Sequence, residues 1–159
     1  MEFTYDNVLK FMKQYFKDYT DYAQDPRTTH RMHDYLAPDF EFTPFIAGNA
    51  KVSGRDEFLR LMSSHPSSQE SLTPQDIMID LKKKTIVVLL GAELSDKATG
   101  EVLVKKSYHV LYRLILDAQK TIKIKSVLFF EEILPPGTLD IGDVLKRDPA
   151  IARLYTDKP

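Results

Sequence analysis

From about Gln75 onward the chain stops repeating at helical spacing and alternates with a period of two. Strand-like runs cover about Gln75–Leu81, Thr85–Leu94, Val102–Leu116 and Thr121–Glu132. They are broken only at Lys82-Lys83-Lys84, at "DKATG" and at "DAQK". Connections this short join consecutive strands as neighbours and imply an antiparallel meander. Such a sheet has one apolar face that another layer must cover.

The N-terminal third supplies that layer. Between Thr4 and about Gln24, apolar residues fall at Val8, Met12, Tyr15, Phe16, Tyr19, Tyr22 and Ala23, which is one face of a helix. Thr4 suits its N-cap, and Asp6 suits the positive end of its dipole. Pro26 disfavours a helical residue before it, so the helix ends near Asp25. Asp25 is then placed to cap a second helix with Pro26 in its first turn, running to about Leu36. A hairpin is expected through Ala47–Asn49. A third helix follows "SGRDEFLRLM", with Ser53 and Asp56 at capping-box spacing and Phe58, Leu61 and Met62 on its inner side. "SSHPSSQESLTP" reads as a polar loop, and Pro-Pro-Gly at 135–137 ends the sheet. The expected division is a domain over 1–134 and an extension over 135–159 with short helices, one of them starting at Asp148-Pro149.

Charge and composition narrow the function. A formal net charge of -1 lacks the clustered cations that nucleic-acid binding needs. The absence of cysteine removes disulfides, thiolate nucleophiles and thiolate metal sites. The first residues are acidic where a secretory leader is basic, and the longest apolar run, "IVVLLGA", is too short to span a bilayer. A soluble, cytoplasmic protein with neither nucleic-acid nor membrane partners is the expectation. No G-x-S-x-G, phosphate loop or dinucleotide fingerprint is present.

The element order (helix, short helix, strand pair, helix, four strands) resembles the nuclear transport factor 2-like superfamily, which includes ketosteroid isomerases, SnoaL-like cyclases and scytalone dehydratases. The resemblance rests on "YLAPDFEFTPF", "SGRDEFLRLM" and "IKIKSVLFFEE" and covers roughly residues 5–132. It implies an α+β fold: a curved antiparallel sheet wrapped on N-terminal helices as a cystatin-like cone, with a pocket at the wide end. Within that group the expectation is a small-molecule pocket protein: a cofactor-free isomerase, cyclase or dehydratase acting on a small apolar carbonyl compound, or alternatively a non-catalytic ligand-binding protein or protein-interaction scaffold. In ketosteroid isomerases the base is an aspartate immediately before a proline on the first strand, where this chain has Thr43. The resemblance puts an oxyanion donor at Tyr112, five residues before the turn at Asp117, and a second on the first helix, at Tyr15 or Tyr19.

Strand phase proposes the lining. Tyr108, Val110, Tyr112 and Leu114 share the apolar face of their strand. In the last strand Ile122, Ile124, Ser126, Leu128 and Phe130 make the better core face, opposite Lys123, Lys125, Val127 and Phe129. In "LAPDFEFTPF", burying Phe40 and Phe42 is worth roughly 1.5–3 kcal/mol each, whereas an unpaired buried carboxylate is costly. Plain alternation therefore turns Asp39, Glu41 and Thr43 away from the core; the alternative is a bulge before Pro44, which would reverse the phase locally. The catalytic candidates are Tyr112, Glu41 and His33, the last because histidine titrates near neutrality. Tyr15, Tyr19, Thr43, Tyr108 and Leu128 are the ligand-binding candidates. His30 and His33 are three apart on the second helix, but no third ligand is evident, so no metal site is expected. His65 lies in the Ser-rich loop, and His109 points away from the cone.

Val87, Leu89, Leu111, Val127 and Phe129 make the outer sheet face too apolar for water, so a homodimer through that face is expected. Leu139, Ile141, Val144 and Leu145 of the tail are the alternative cover.

Overall fold

The computed structural model describes residues 2–44, 51–64 and 67–130. Helix α1 spans Tyr5–Tyr22, and a 3-10 helix spans Thr29–Asp34. Strands β1 (Leu36–Thr43) and β2 (Val52–Ser53) precede helix α2 (Arg55–Met62), and β3 (Ser68–Asp80), β4 (Thr85–Asp96), β5 (Val102–Leu116) and β6 (Ile122–Phe130) complete the chain as described. The six strands form one sheet in the order β2-β1-β6-β5-β4-β3. The meander β3-β4-β5-β6 is antiparallel as expected, but β1 joins β6 in parallel, so the sheet is mixed at that seam. The expected architecture holds: an α+β fold with a curved sheet wrapped on the N-terminal helices.

Sequence dictates the first helix closely. Thr4 caps α1, its hydroxyl accepting from the Asn7 amide at 3.4 Å, and Val8, Met12, Tyr15, Phe16 and Tyr19 are buried. The turn after α1 differs from expectation. Asp25 is spent on Arg27, accepting from its amide and its guanidinium, and the helix that follows is a short 3-10 segment starting only at Thr29. The Ser53 capping box does not form either. Ser53 belongs to β2, Gly54 takes the N-cap at φ 97°, and the buried side of α2 is Phe58 and Leu59. Leu61 and Met62 are half-buried.

Two larger departures shape the site. Residues 68–74, expected as loop, are the first half of β3, paired with β4 from Ser68↔Asp96 through Pro74↔Leu90. Pro74 is tolerated because β3 is an edge strand, and the register shifts beside it, between Pro74 and Asp76. In β6, Arg113 pairs with Ser126 but Leu114 pairs with Ile124, leaving Lys125 as an extra residue. That bulge changes the strand's phase. Ile122 and Ile124 face the core as expected, but beyond Lys125 the inward residues are Val127 and Phe129 instead of Leu128 and Phe130. The outer face is therefore built from Val87, Leu89, Leu111, Leu128 and Phe130, with Met78 beside Val87. No helix among the described residues is long and apolar enough to cross a membrane. The expected hairpin at 47–49, His65 and the tail from 131, with the domain boundary at 134–135, lie outside the described residues.

Candidate functional site

Between the sheet and the helices lies a cavity of about 440 Å³. Its floor is the sheet, through Tyr112 on β5 and Val127 and Phe129 on β6. Tyr15 and Tyr19, four residues apart on α1, stand on the same helix face and close one side. Phe42 of β1 and Phe58 of α2, with ring centroids 4.9 Å apart, close another. Alternation holds in β1: both rings turn inward, Phe40 into the core and Phe42 into the cavity wall.

Glu70 on β3 is the one charged side chain among the described residues of this lining. Helix α1 and the turn that follows it each fix it. The Gln24 amide clasps the Glu70 backbone, donating to its carbonyl at 2.6 Å and accepting from its N–H at 2.5 Å. The Tyr19 hydroxyl donates to the Glu70 carboxylate at 2.8 Å and lies 3.1 Å from Met62 Sδ. One residue pair along, the Thr20 hydroxyl accepts from the Leu72 amide at 3.3 Å. An edge strand has backbone groups without sheet partners, and here the end of α1 satisfies them. The same contacts hold the carboxylate at the cavity.

Three phenols surround that carboxylate. Burial pushes the Tyr15, Tyr19 and Tyr112 hydroxyls above the ordinary phenol range. The Glu70 charge adds to each, as does Tyr15 at Tyr112. All three are neutral donors at physiological pH. Tyr19 spends its proton on Glu70, whereas the Tyr15 and Tyr112 hydroxyls have no hydrogen-bond partner among the described residues. Their rings are held edge-on: Tyr15 to Tyr112 at 6.1 Å, and Phe16 to Tyr112 at 5.7 Å and 90°. The arrangement offers one proton acceptor and two unspent donors in an apolar chamber.

The structure thus brings Tyr15, Tyr19 and Tyr112 together at one cavity. Tyr108 is buried against Phe129, with centroids 5.6 Å apart, and is not part of the lining. Thr43 and Leu128 are register partners across the β1–β6 seam, on the face opposite Phe42 and Val127. Glu41 lies on that face too, its carboxylate 3.5 Å from Lys51 Nζ. His33 is exposed on the 3-10 helix with Nε2 3.4 Å from Asp56. Partial burial, followed by the Arg55 charge, lowers its pKa. Neither Glu41 nor His33 lines the cavity. Sequence reasoning missed Glu70 because "SSQESL" is polar at nearly every position.

No protein-family model matches the chain, and no curated protein matches its sequence. Solved structures do match. An NTF2-like protein from Anabaena variabilis aligns at 22% identity over 83% of this chain and 96% of its own, with a TM-score of 0.54. A ketosteroid isomerase-like protein from Erwinia carotovora aligns at 15% identity over 79% and 95%, with a TM-score of 0.52. An uncharacterised protein with a cystatin-like fold from Caulobacter vibrioides aligns at 12% identity over 92% and 96%, with a TM-score of 0.56. At these identities the likeness is one of fold alone: an α+β architecture with a curved sheet, of the kind named cystatin-like in the Caulobacter protein.

Proposed function

We propose that the chain binds a small apolar carbonyl compound in the cone and catalyses cofactor-free proton transfer on it, as an isomerase, cyclase or dehydratase does. The observation that carries this reading is the Glu70 carboxylate, held by Tyr19 at 2.8 Å in an apolar chamber that two further phenols enter. Glu70 takes a proton from the carbon next to the carbonyl; the C–H electron pair becomes the new C=C bond, and the carbonyl π pair moves onto the oxygen. Tyr15 and Tyr112 donate hydrogen bonds to the resulting oxyanion. Returning the proton to another carbon completes an isomerisation. Expelling a β-hydroxyl, protonated as it leaves, completes a dehydration, and attack of the enolate carbon on an internal electrophile closes a ring. A ketosteroid isomerase-like protein among the structural neighbours supports this class. In this chain the acceptor stands on β3, in place of a carboxylate at Thr43.

Exchange of α-protons for deuterium in a naphthyl methyl ketone, followed by NMR, tests the reading. Wild type should accelerate exchange, and Glu70→Gln should abolish the acceleration while retaining ketone binding. Equal exchange by both proteins removes Glu70 as the base. Binding without exchange by wild type favours a ligand-binding protein, a reading supported by Tyr19 already occupying the carboxylate.

We also propose a homodimer through the outer sheet face, where Met78 and Phe130 are both 53% exposed. Light scattering at micromolar concentration should give a dimer that Leu111→Lys splits. A wild-type monomer overturns it.

A further inference from the structure

A second, polar cleft of about 570 Å³ lies beside the apolar chamber, walled by the C-terminal ends of α1 and α2, the start of β3 and the turn after β4. Gln24 and Ser64 belong to both walls. Gln24 is buried, and both ends of its amide are used on the Glu70 backbone, so it acts as a fixed partition between the two spaces. A ligand seated against Glu70 therefore meets, on one side of that partition, a space larger than the chamber itself.

The chemistry of the cleft is specific about what enters it. Its charged walls are Asp21, Asp25, Arg27 and Lys97, two carboxylates against two cations. Asp25 is paired with Arg27 at 2.7 Å, and Asp21 with Lys17 at 2.7 Å. An arm with net charge meets both signs and gains nothing overall. The Ser63 and Ser64 hydroxyls donate to carbonyls of their own helix, at 2.9 and 2.6 Å, and keep lone pairs to accept. Gln69 presents an amide that makes no hydrogen bond among the described residues. Donors and acceptors are thus mixed around the wall. A hydroxyl both donates and accepts, so it suits such a wall, whereas an ammonium only donates and a carboxylate only accepts.

Building on the chamber reading above, we infer that the ligand is an apolar carbonyl compound bearing a neutral, hydroxyl-rich arm such as a sugar, with the ring system in the chamber and the arm in the cleft beyond Gln24 and Ser64.

Calorimetric titration of the full chain with four probes tests this: a naphthyl methyl ketone, and the same ketone carrying a glucosyl, a carboxymethyl or an aminoethyl ether. The glucosyl ketone should bind roughly tenfold more tightly than the bare ketone, as one or two net hydrogen bonds provide. The charged ethers should show no gain. In Gln69→Ala/Lys97→Ala, two exposed positions, the glucosyl advantage should disappear while the bare ketone binds as before. Circular dichroism checks the fold, and Gln69→Ala alone serves if the pair destabilises it. A bare ketone that fails to bind wild type overturns the chamber reading and the inference with it. A bare ketone that binds, with no glucosyl gain, a gain that survives the double variant or a stronger charged ether, overturns the inference alone.

Discussion

The helix-facing side of the sheet has two halves that the same periodicities build but that end differently. Phe3 lies against Lys84 at the β3–β4 turn, while Thr20 and Gln24 lie against Leu72 and Glu70, so α1 runs along the sheet from that turn towards the start of β3. At the packed end Val8, Met12, Ile86, Leu114, Ile122 and Ile124 exclude water, each no more than 3% exposed. At the hollow end the same helix face and the same strands present Tyr15, Tyr19, Tyr112, Val127 and Phe129, and a cavity is left between them. Tyrosine rings pack as well as leucine, but their hydroxyls need polar company, so they hold neighbours apart where aliphatic chains interlock. The bulge at Lys125 falls at this division, and it turns Val127 and Phe129 inward to wall the hollow half.

Truncating the packed half should have the largest effect. Met12→Ala removes a fully buried side chain where nothing can collapse into its place, at a cost of about 2–5 kcal/mol in denaturant unfolding. Ketone affinity of the remaining folded protein should be unchanged. If stability barely moves, the packed end is not the part that holds the fold together.

Tyr112→Phe should reverse that pattern. Its hydroxyl has no protein partner among the described residues, so stability should stay nearly constant, whereas carbonyl affinity or the reaction barrier should worsen by about 1–3 kcal/mol. A stability loss with binding untouched would remove Tyr112 from the site.

The legibility of the two halves follows the same division. The packed half could be read from α1 and β5, because regular periodicities keep Met12, Val110 and Leu114 on faces that counting finds. Tyr15, Tyr19 and Tyr112 were legible for that reason too. Leu128 was assigned to the wrong face because a bulge adds a residue without leaving a composition signal, and Lys125 looks like any exposed strand lysine. Glu70 was hidden by the polarity of its strand, yet a signal existed. A strand ending near Leu94, folded back through the Lys82–Lys84 turn, needs a partner of equal length, which carries β3 back to Ser71; the register shift beside Pro74 then brings Glu70 opposite Leu94. Hairpin arithmetic finds the strand that hydropathy misses, but not its phase.

The hollow half should also set the alkaline limit of stability. Tyr15, Tyr19 and Tyr112 have folded pKa values above their unfolded ones, so the unfolded chain releases these protons first as pH rises past about 10. Their contribution is complete below pH 10 and is lost above it, by up to about 1.4 kcal/mol per pH unit for each fully buried phenol. Tyr35, raised by burial and by its bond to Asp18, adds in the same direction. Replacing the three cavity tyrosines with Phe should remove most of the slope between pH 10 and 11 and leave the shares of Tyr35 and of Lys17, which its hydrogen bond to Asp21 raises. An unchanged slope would place the alkaline transition elsewhere.

Glu41→Gln should do least, and it separates the two carboxylates near the cone. Glu41 follows Phe40 and precedes Phe42, so alternation turns it from the core and from the chamber that Phe42 helps enclose, and its partner is Lys51 in water. Removing its charge alters neither the lining nor any hydrogen bond to Glu70. Ketone affinity and α-proton exchange should both stay within about twofold of wild type, since a surface ion pair contributes little. A large loss of exchange in Glu41→Gln, with exchange intact in Glu70→Gln, would move the base from β3 to β1 and show that the face opposite Phe42 is the one that meets the ligand.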